Sequence, residues 1–285
     1  YQNHLAVDNV SFDVPEGTIF GLLGPNGAGK TSLIRIITAI TRADSGTVFL
    51  NGQKVTERSV SQIGYMPEER GLYKKMAVGE QLLYLAQLKG MSYATARQEI
   101  MAWMTKFEIQ DWWDKKIEEL SKGMQQKVQF IATILHRPKV LILDEPFTGL
   151  DPLNANLIKD EIFALHEQGT SIIFSTHRME QVEEICDKIV LINQGKNVLE
   201  GDVKSIKNQF KENVFTLSFE GILPEDMSNY CDIVQQTEQK LTLKLKENVA
   251  SNEILKHLIQ KNITVQGFNE VLPSLNEIFI RQVRA

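Results

Sequence analysis

The sequence predicts an α/β domain on a parallel core sheet, carrying a helical insert, followed by a small α+β domain. Three observations predict it. Short, unbroken apolar runs at 18–23, 140–143 and 171–175 alternate with helix-like stretches, the pattern of strands buried on both faces. Between about 78 and 138 the apolar spacing is helical. After Gly201 the pattern changes to strict alternation of apolar and polar residues.

The elements follow in order. Residues 18–23 form a strand that runs into a glycine-rich turn, and 31–40 form the helix that leaves it. Residues 47–50 form a strand that ends in Asn51-Gly52, a pair that tolerates the positive φ of a tight hairpin turn. In the insert, Leu82, Leu83, Leu85, Ala86 and Leu88 make one helical apolar face. Val128, Ile131, Ala132 and Leu135 make another, which Pro138 ends. Phe215, Leu217 and Phe219, and then Leu241, Leu243 and Leu245, are the inward residues of half-buried strands. Residues 251–261 form an amphipathic helix with Ile254, Leu255, Leu258 and Ile259 inward. Ser274 and Glu277 have capping-box spacing, so a last helix starts there. The boundary falls near 201/202, giving domains of 1–201 and 202–285.

Composition narrows the function. The 285 residues are 42% hydrophobic and 24% charged, with a formal net charge of −5. That balance offers no electrostatic footprint for nucleic acid, which is not expected as a partner. No apolar run approaches the ~20 residues that span a bilayer, and no secretory leader is visible. Action at a membrane therefore needs a partner. Cys186 and Cys231 form no CxxC pair and lie near no histidine cluster, so neither zinc nor a disulfide framework is expected. They read as buried or half-buried thiols of a reducing cytoplasm.

The chemistry begins in the turn after the first strand. Gly24-Pro25-Asn26-Gly27-Ala28-Gly29-Lys30-Thr31 fits G-x-x-x-x-G-K-[ST], with the required strand before it and helix after it. Gly27 and Gly29 let backbone N–H groups close on phosphate oxygens, and the helix N-terminus adds positive potential. Asn26, Gly27, Ala28, Gly29, Lys30, Thr31 and Ser32 are therefore nucleotide-binding candidates, with Lys30 on the β- and γ-phosphates and Thr31 on Mg²⁺. No Asn-Lys-x-Asp tetrad appears, which favours adenine over guanine and hence ATP. Tyr1 is a candidate for stacking on the adenine, with a frayed terminal residue as the alternative.

Asp144 and Glu145 end the apolar run at 140–143. Strand C-terminal ends face the ligand crevice of such sheets, so Asp144 is a Mg²⁺ candidate and Glu145 a candidate to orient and polarise water. The run at 171–175 delivers His177 in the same way, as a candidate γ-phosphate contact. His4, His136, His166 and His257 lack such placement and read as surface or capping residues.

With these motifs in this order the chain resembles the ATP-binding cassette (ABC) ATPases, a class of P-loop NTPase. Leu120-Ser121-Lys122-Gly123-Met124-Gln125-Gln126-Lys127 is similar to the family's LSGGQ signature, and Thr148-Gly149-Leu150-Asp151 to its D-loop. The resemblance implies a head-to-tail pairing of two ATPase subunits, identical or different. Ser121 and Gly123 of one would then complete the site around Lys30 of the other. His177 matches the switch histidine. Tyr1 matches the adenine-stacking aromatic, which the family's first strand usually precedes, so the chain is expected to lack its first few residues. Two positions depart from the pattern: the signature carries Lys122 and Met124, and Pro67-Glu68 stands where a glutamine is usual. Glu68 is still an oxygen ligand, for Mg²⁺ or water, or else a salt-bridged hinge residue.

Both departures, with the tail around Pro273-Ser274-Leu275-Asn276-Glu277-Ile278-Phe279, resemble ATPase subunits of bacterial exporters of the sodium-extrusion and drug-export type. The resemblance implies an integral membrane permease as partner and a peripheral place on the cytoplasmic face of the membrane. It also implies that the region from Arg70 to Met91 meets the permease. Trp103, Trp112 and Trp113 read as packing of the insert. The alternatives are an ABC ATPase acting on a non-membrane partner, an ATP-sensing module without hydrolysis, and another phosphate-loop enzyme. The absence of sustained heptads opposes the first, Glu145 and His177 the second, and the signature the third.

Overall fold

Apolar residues that succeed one another without polar alternation need cover on both faces, and the core sheet has it. The computed structural model describes residues 5–69 and 71–284. In it β1 (Ile19–Leu23) is buried along its whole length. After β1 come α1 (Lys30–Ile37), the small hairpin of β2 (Phe49–Leu50) and β3 (Gln53–Lys54), and then β4 (Ile63–Met66). The helical insert holds α2 (Val78–Leu88), α3 (Tyr93–Lys106) and α4 (Lys122–Ile134). The sheet resumes with β5 (Val140–Asp144), α5 (Pro152–Glu167), β6 (Ser171–Thr176), α6 (Met179–Ile185), β7 (Lys188–Asn193) and β8 (Lys196–Asp202).

The strand order is β4-β5-β6-β1-β7-β8. All pairings are parallel except β7 with β8, which closes one edge antiparallel. In a parallel sheet the C-terminal ends share one rim. β6 lies between β5 and β1, so the segments that leave these three strands emerge side by side at that rim. Phe20, Leu22, Ile34, Ile142, Ile173 and Val190 pack the core beneath α1.

Residues 1–202 and 203–285 are two compact units. The second holds α7 (Val203–Gln209), β9 (Val214–Glu220), β10 (Cys231–Gln236), β11 (Lys240–Leu245), α8 (Ser251–Gln260), β12 (Thr264–Val271) and α9 (Leu275–Arg284). Its sheet runs β10-β11-β9-β12, antiparallel throughout. Leu217, Phe219, Leu241, Leu243, Ile254 and Leu258 form its core. The capping box forms: Ser274 N–H donates to Glu277 Oε2 at 2.7 Å, and Glu277 N–H to Ser274 Oγ at 3.2 Å.

Some expectations shift. The first helix ends at Ile37, not residue 40, because Ala39 turns left-handed at φ 58°. The strand expected at 47–50 shortens to 49–50. α4 stops at Ile134, since Arg137 adopts φ 51° ahead of Pro138. Leu82 and Ala86 are buried as expected, whereas Leu88, assigned to the same face, is 64% exposed. His257 is neither a surface nor a capping residue: it is buried, with Nε2 2.9 Å from Asp226 Oδ1. His136 packs with Nε2 3.3 Å from the Ile63 carbonyl, and burial pushes its pKa down to about 4.

Trp113 packs flat against the start of α2. A Cβ on Gly79 would sit inside contact distance of three atoms of its indole ring. Overpacking of this kind costs about 1–3 kcal/mol. Gly79→Ala is therefore expected to lower the denaturation free energy by about that amount, read from chemical unfolding; an unchanged value would mean that the insert yields at this contact.

Candidate active site

The first strand delivers its glycines at a point where backbone must pass backbone. Gly24 has φ 151° and Gly29 φ 106°, and a Cβ on Gly29 would strike the Ala6 carbonyl. Gly27 has φ 79°, and among the described residues a Cβ there would meet no atom within 4 Å. Asn26 is exposed and Ala28 is buried beneath the loop. Thr31 and Ser32 are half-buried on the first turn of α1.

Lys30 folds back into the loop that it terminates. Its Nζ donates to the Gly24 carbonyl at 2.7 Å and the Pro25 carbonyl at 3.2 Å. Burial pushes its pKa down, and Glu145, Asp144 and Glu68 act against that shift. Glu68 is exposed, yet its charge reaches both Lys30 and Tyr65. The carboxylate at position 68 thus belongs to the electrostatic field of the phosphate loop.

Asp144 ends β5 and is 1% exposed. Ser175 Oγ donates to its Oδ1 at 2.7 Å and Thr31 Oγ1 to its Oδ2 at 3.2 Å. Burial raises its pKa; the two hydroxyl bonds and Lys30 oppose that rise. Next to it, Glu145 is buried with a left-handed backbone, φ 52°. That conformation costs a non-glycine residue on the order of 1 kcal/mol. It is fixed by a bond from the Glu145 N–H to the Ser175 carbonyl at 2.8 Å.

The Glu145 side chain is held by the end of β6. Oε1 accepts from the His177 backbone N–H at 2.8 Å and lies 2.6 Å from the His177 ring Nδ1. Oε2 accepts from Thr176 Oγ1 at 3.1 Å. With an acceptor-only carboxylate as partner, the ring carries its proton on Nδ1. The residues the sequence missed are Ser175 and Thr176. Their signal was available: two hydroxyls at the end of an otherwise apolar run.

The structure therefore gathers Lys30, Thr31, Asp144, Glu145 and His177 at one rim, with Glu68 near enough to act on Lys30. Ser121 and Gly123 stand elsewhere. Ser121 caps α4, its Oγ accepting from the Met124 N–H at 3.2 Å. Gly123 faces the Gly149 carbonyl. Together with Trp112, Lys122, Asp151 and Asn154 they line a separate cleft with no phosphate-loop residue in its wall. Tyr1 lies outside the described residues.

The site fits Mg²⁺. Among the described residues no group of three His, Cys, Asp or Glu forms a metal cage. Mg²⁺ needs none, since it takes one or two protein oxygens and completes its shell with phosphate and water. Thr31 Oγ1 and Asp144 Oδ2, 3.2 Å apart, are two oxygens that could form such a pair.

Residues 7–148 match the family model described as ABC transporter, and residues 201–283 match the C-terminal domain of DrrA1-3-like ATP-binding proteins. The uncharacterized ABC transporter ATP-binding protein YhaQ of Bacillus subtilis (strain 168) is 43% identical, over 100% of this chain and 96% of its own length. The Nod factor export ATP-binding protein I of Burkholderia thailandensis is 34% identical over 72% of this chain and 69% of its own. A solved structure described as an ATP binding subunit of an ABC transporter superposes with a TM-score of 0.69 at 30% identity. It covers 74% of this chain and 89% of that one.

A carboxyl whose folded pKa is raised costs stability once pH exceeds its ordinary range, and costs nothing when protonated in both states. Asp144→Asn is therefore expected to raise the melting temperature of the nucleotide-free protein at pH 8. The gain is read as a shift in the melting temperature. It should vanish as pH falls towards 4, the unperturbed carboxylate value. A thermal scan at both pH values checks it, and a lower melting temperature at pH 8 would refute the buried-charge penalty.

Proposed function

The chain belongs to the ATP-binding subunits of ABC transporters, and from that premise we propose that it hydrolyses Mg-ATP at the Lys30–Asp144–Glu145–His177 rim to drive export through a membrane permease. As a member of that family it binds and hydrolyses ATP. The observation that carries the assignment of residues is the meeting of a desolvated lysine, a hydroxyl–carboxylate pair and a held glutamate at the ends of three adjacent strands.

In this reading the loop amides and Lys30 take the phosphates of ATP. Lys30 gives up its two carbonyl bonds for phosphate oxygens, which carry more charge. Thr31 and Asp144 would hold Mg²⁺, which would supply neutralisation of phosphate charge when bound. Glu145 accepts a proton from the attacking water as that water adds to the γ-phosphorus, and ADP leaves with the electron pair of the broken P–O bond. A carboxylate has about four acceptor positions. Three are engaged here, two on Oε1 and one on Oε2. The water therefore meets Oε2, on the side away from Thr176. His177 keeps Oε1 from turning, and its ring moves to the γ-phosphate when ATP is present.

Ser121 and Gly123 are too far from this rim to line the same cleft, which supports a composite site made with a second ATPase subunit. The N-cap geometry of Ser121 suits an anion there. The family likeness supports a permease partner. On that likeness we assign the chain to the cytoplasmic face, bound through that permease; among the described residues no helix is long and apolar enough to cross a membrane. The export direction rests on the likeness to a relative named for export.

Removal of a general base typically costs about 10²–10⁴ in rate. Glu145→Gln is expected to lower turnover by about that factor with ATP affinity retained, whereas Lys30→Ala should weaken nucleotide binding about tenfold or more. Steady-state phosphate release and a nucleotide titration separate the two. The wider reading is tested by recovering the Glu145→Gln chain from solubilised membranes with ATP present. Co-recovery of a polytopic membrane protein supports it; recovery with ribosomes or DNA, or of a soluble chain alone, overturns the transport assignment.

A further inference from the structure

α4 begins at the cap Ser121 and runs beneath the rim, and its buried face is not wholly apolar. Gln126 is 1% exposed and Gln129 is 4% exposed, one turn apart on the same face. Gln126 Nε2 donates to the Pro146 carbonyl at 2.8 Å. Gln129 Nε2 donates to the Pro67 carbonyl at 2.8 Å. Pro146 directly follows Glu145, and Pro67 directly precedes Glu68. Each glutamine thus grips backbone one residue away from a carboxylate of the rim.

The grip is made at a cost, which argues against simple filling of space. Among the described residues Gln129 Oε1 is buried with no hydrogen-bond partner, so its amide is held by a single donated bond. The segment after Glu68 is held in the same way from α2. Gln81 is fully buried, its Oε1 accepts from the Tyr73 N–H at 3.0 Å, and among the described residues its Nε2 has no partner.

We infer that Gln126 and Gln129 are positioning residues that make α4 a rigid link between its capping serine and the two carboxylates at 145 and 68. The inference rests on the reading above for what those carboxylates do. Ser121 and Gln129 are eight residues apart, about 12 Å of helix rise. A displacement of the cap travels along that length undiminished, because a packed helix moves as a body. Gln126 passes it to the turn that carries the strained Glu145, and Gln129 to the peptide that leads into Glu68. Neither glutamine touches the reacting atoms.

The test uses the full chain with Gln129→Met, close in size and without a donor, and with Gln126→Met beside it. A misplacement near 1 Å costs up to about a hundredfold in rate, so kcat is expected to fall about tenfold to a hundredfold. KM and ATP affinity should stay within about threefold, and the melting midpoint should hold. Hydrogen exchange supplies a readout independent of turnover. ATP should protect the phosphate loop, 24–32, in both the original chain and the variants, but the segment 67–76 only in the original. Unchanged kcat, or protection of 67–76 retained in Gln129→Met, overturns the inference. So does a loss of kcat that follows a loss of affinity and melting midpoint, which marks a structural role only. Lack of protection at 24–32 in the original chain instead refutes the phosphate-loop reading, so the two failures are distinct.

Discussion

The rest of the site depends on keeping one ammonium group dry. Lys30 is buried at the end of a loop whose own carbonyls accept its protons, and burial pulls its pKa down. Such a charge survives only where compensation is built around it. Asp144, Glu145 and Glu68 provide that compensation, and each acts on Lys30. The parallel sheet is what brings these groups within reach of one another. β1 ends in the loop, β5 ends in the two acids, and β6, which lies between them in the sheet, ends in the hydroxyls that fix the acids. A fold with antiparallel neighbours would send the end of β6 to the opposite rim and take Ser175, Thr176 and His177 away from the acids they hold.

Much of this was legible because the signals are local. A strand buried on both faces writes itself as an unbroken apolar run, and a phosphate loop as glycines at fixed offsets. Hence β1, β5, β6 and the residues Lys30, Thr31, Asp144 and Glu145 could be read directly. Strand alternation in the second unit was equally plain at Phe215–Phe219 and Leu241–Leu245. What escaped was long-range or was set by backbone dihedrals. Nothing local says that Ala39 or Arg137 will turn left-handed and stop a helix early. His257 looked unremarkable because its partner Asp226 is distant in sequence. Ser175 and Thr176 gain their meaning only from lying beside Asp144 and Glu145, a consequence of strand order. Gln126 and Gln129 sit at helical core positions, where sequence periodicity expects an apolar residue.

Those glutamines share a physical logic with the strained backbone of Glu145. A residue held at φ 52° persists only if its surroundings over-determine it. Here the over-determination comes from two directions. From the sheet, the Ser175 carbonyl takes the Glu145 N–H. From the insert, Gln126 takes the carbonyl of the next residue. The turn that carries the carboxylate is therefore pinned between the sheet and a helix that begins at a cap, so its placement reports on both.

The hydrogen bonds around Glu145 also set the surroundings of its charge. An unbound carboxylate beside a cradle for polyphosphate would repel its own substrate unless its charge were spent elsewhere. Two N–H groups of His177 and one hydroxyl of Thr176 spend it. The same bonds fix which oxygen still has room to accept. In the proposed function His177 would have two tasks in sequence: to orient the carboxylate before the phosphate arrives, and afterwards to offer its ring to a stronger anion. That exchange would need only rotation of an imidazole that is already 41% exposed, while the backbone N–H stays on Glu145. On that proposal, the backbone and side chain of a single residue separate the constant part of the site from the part that responds to ATP.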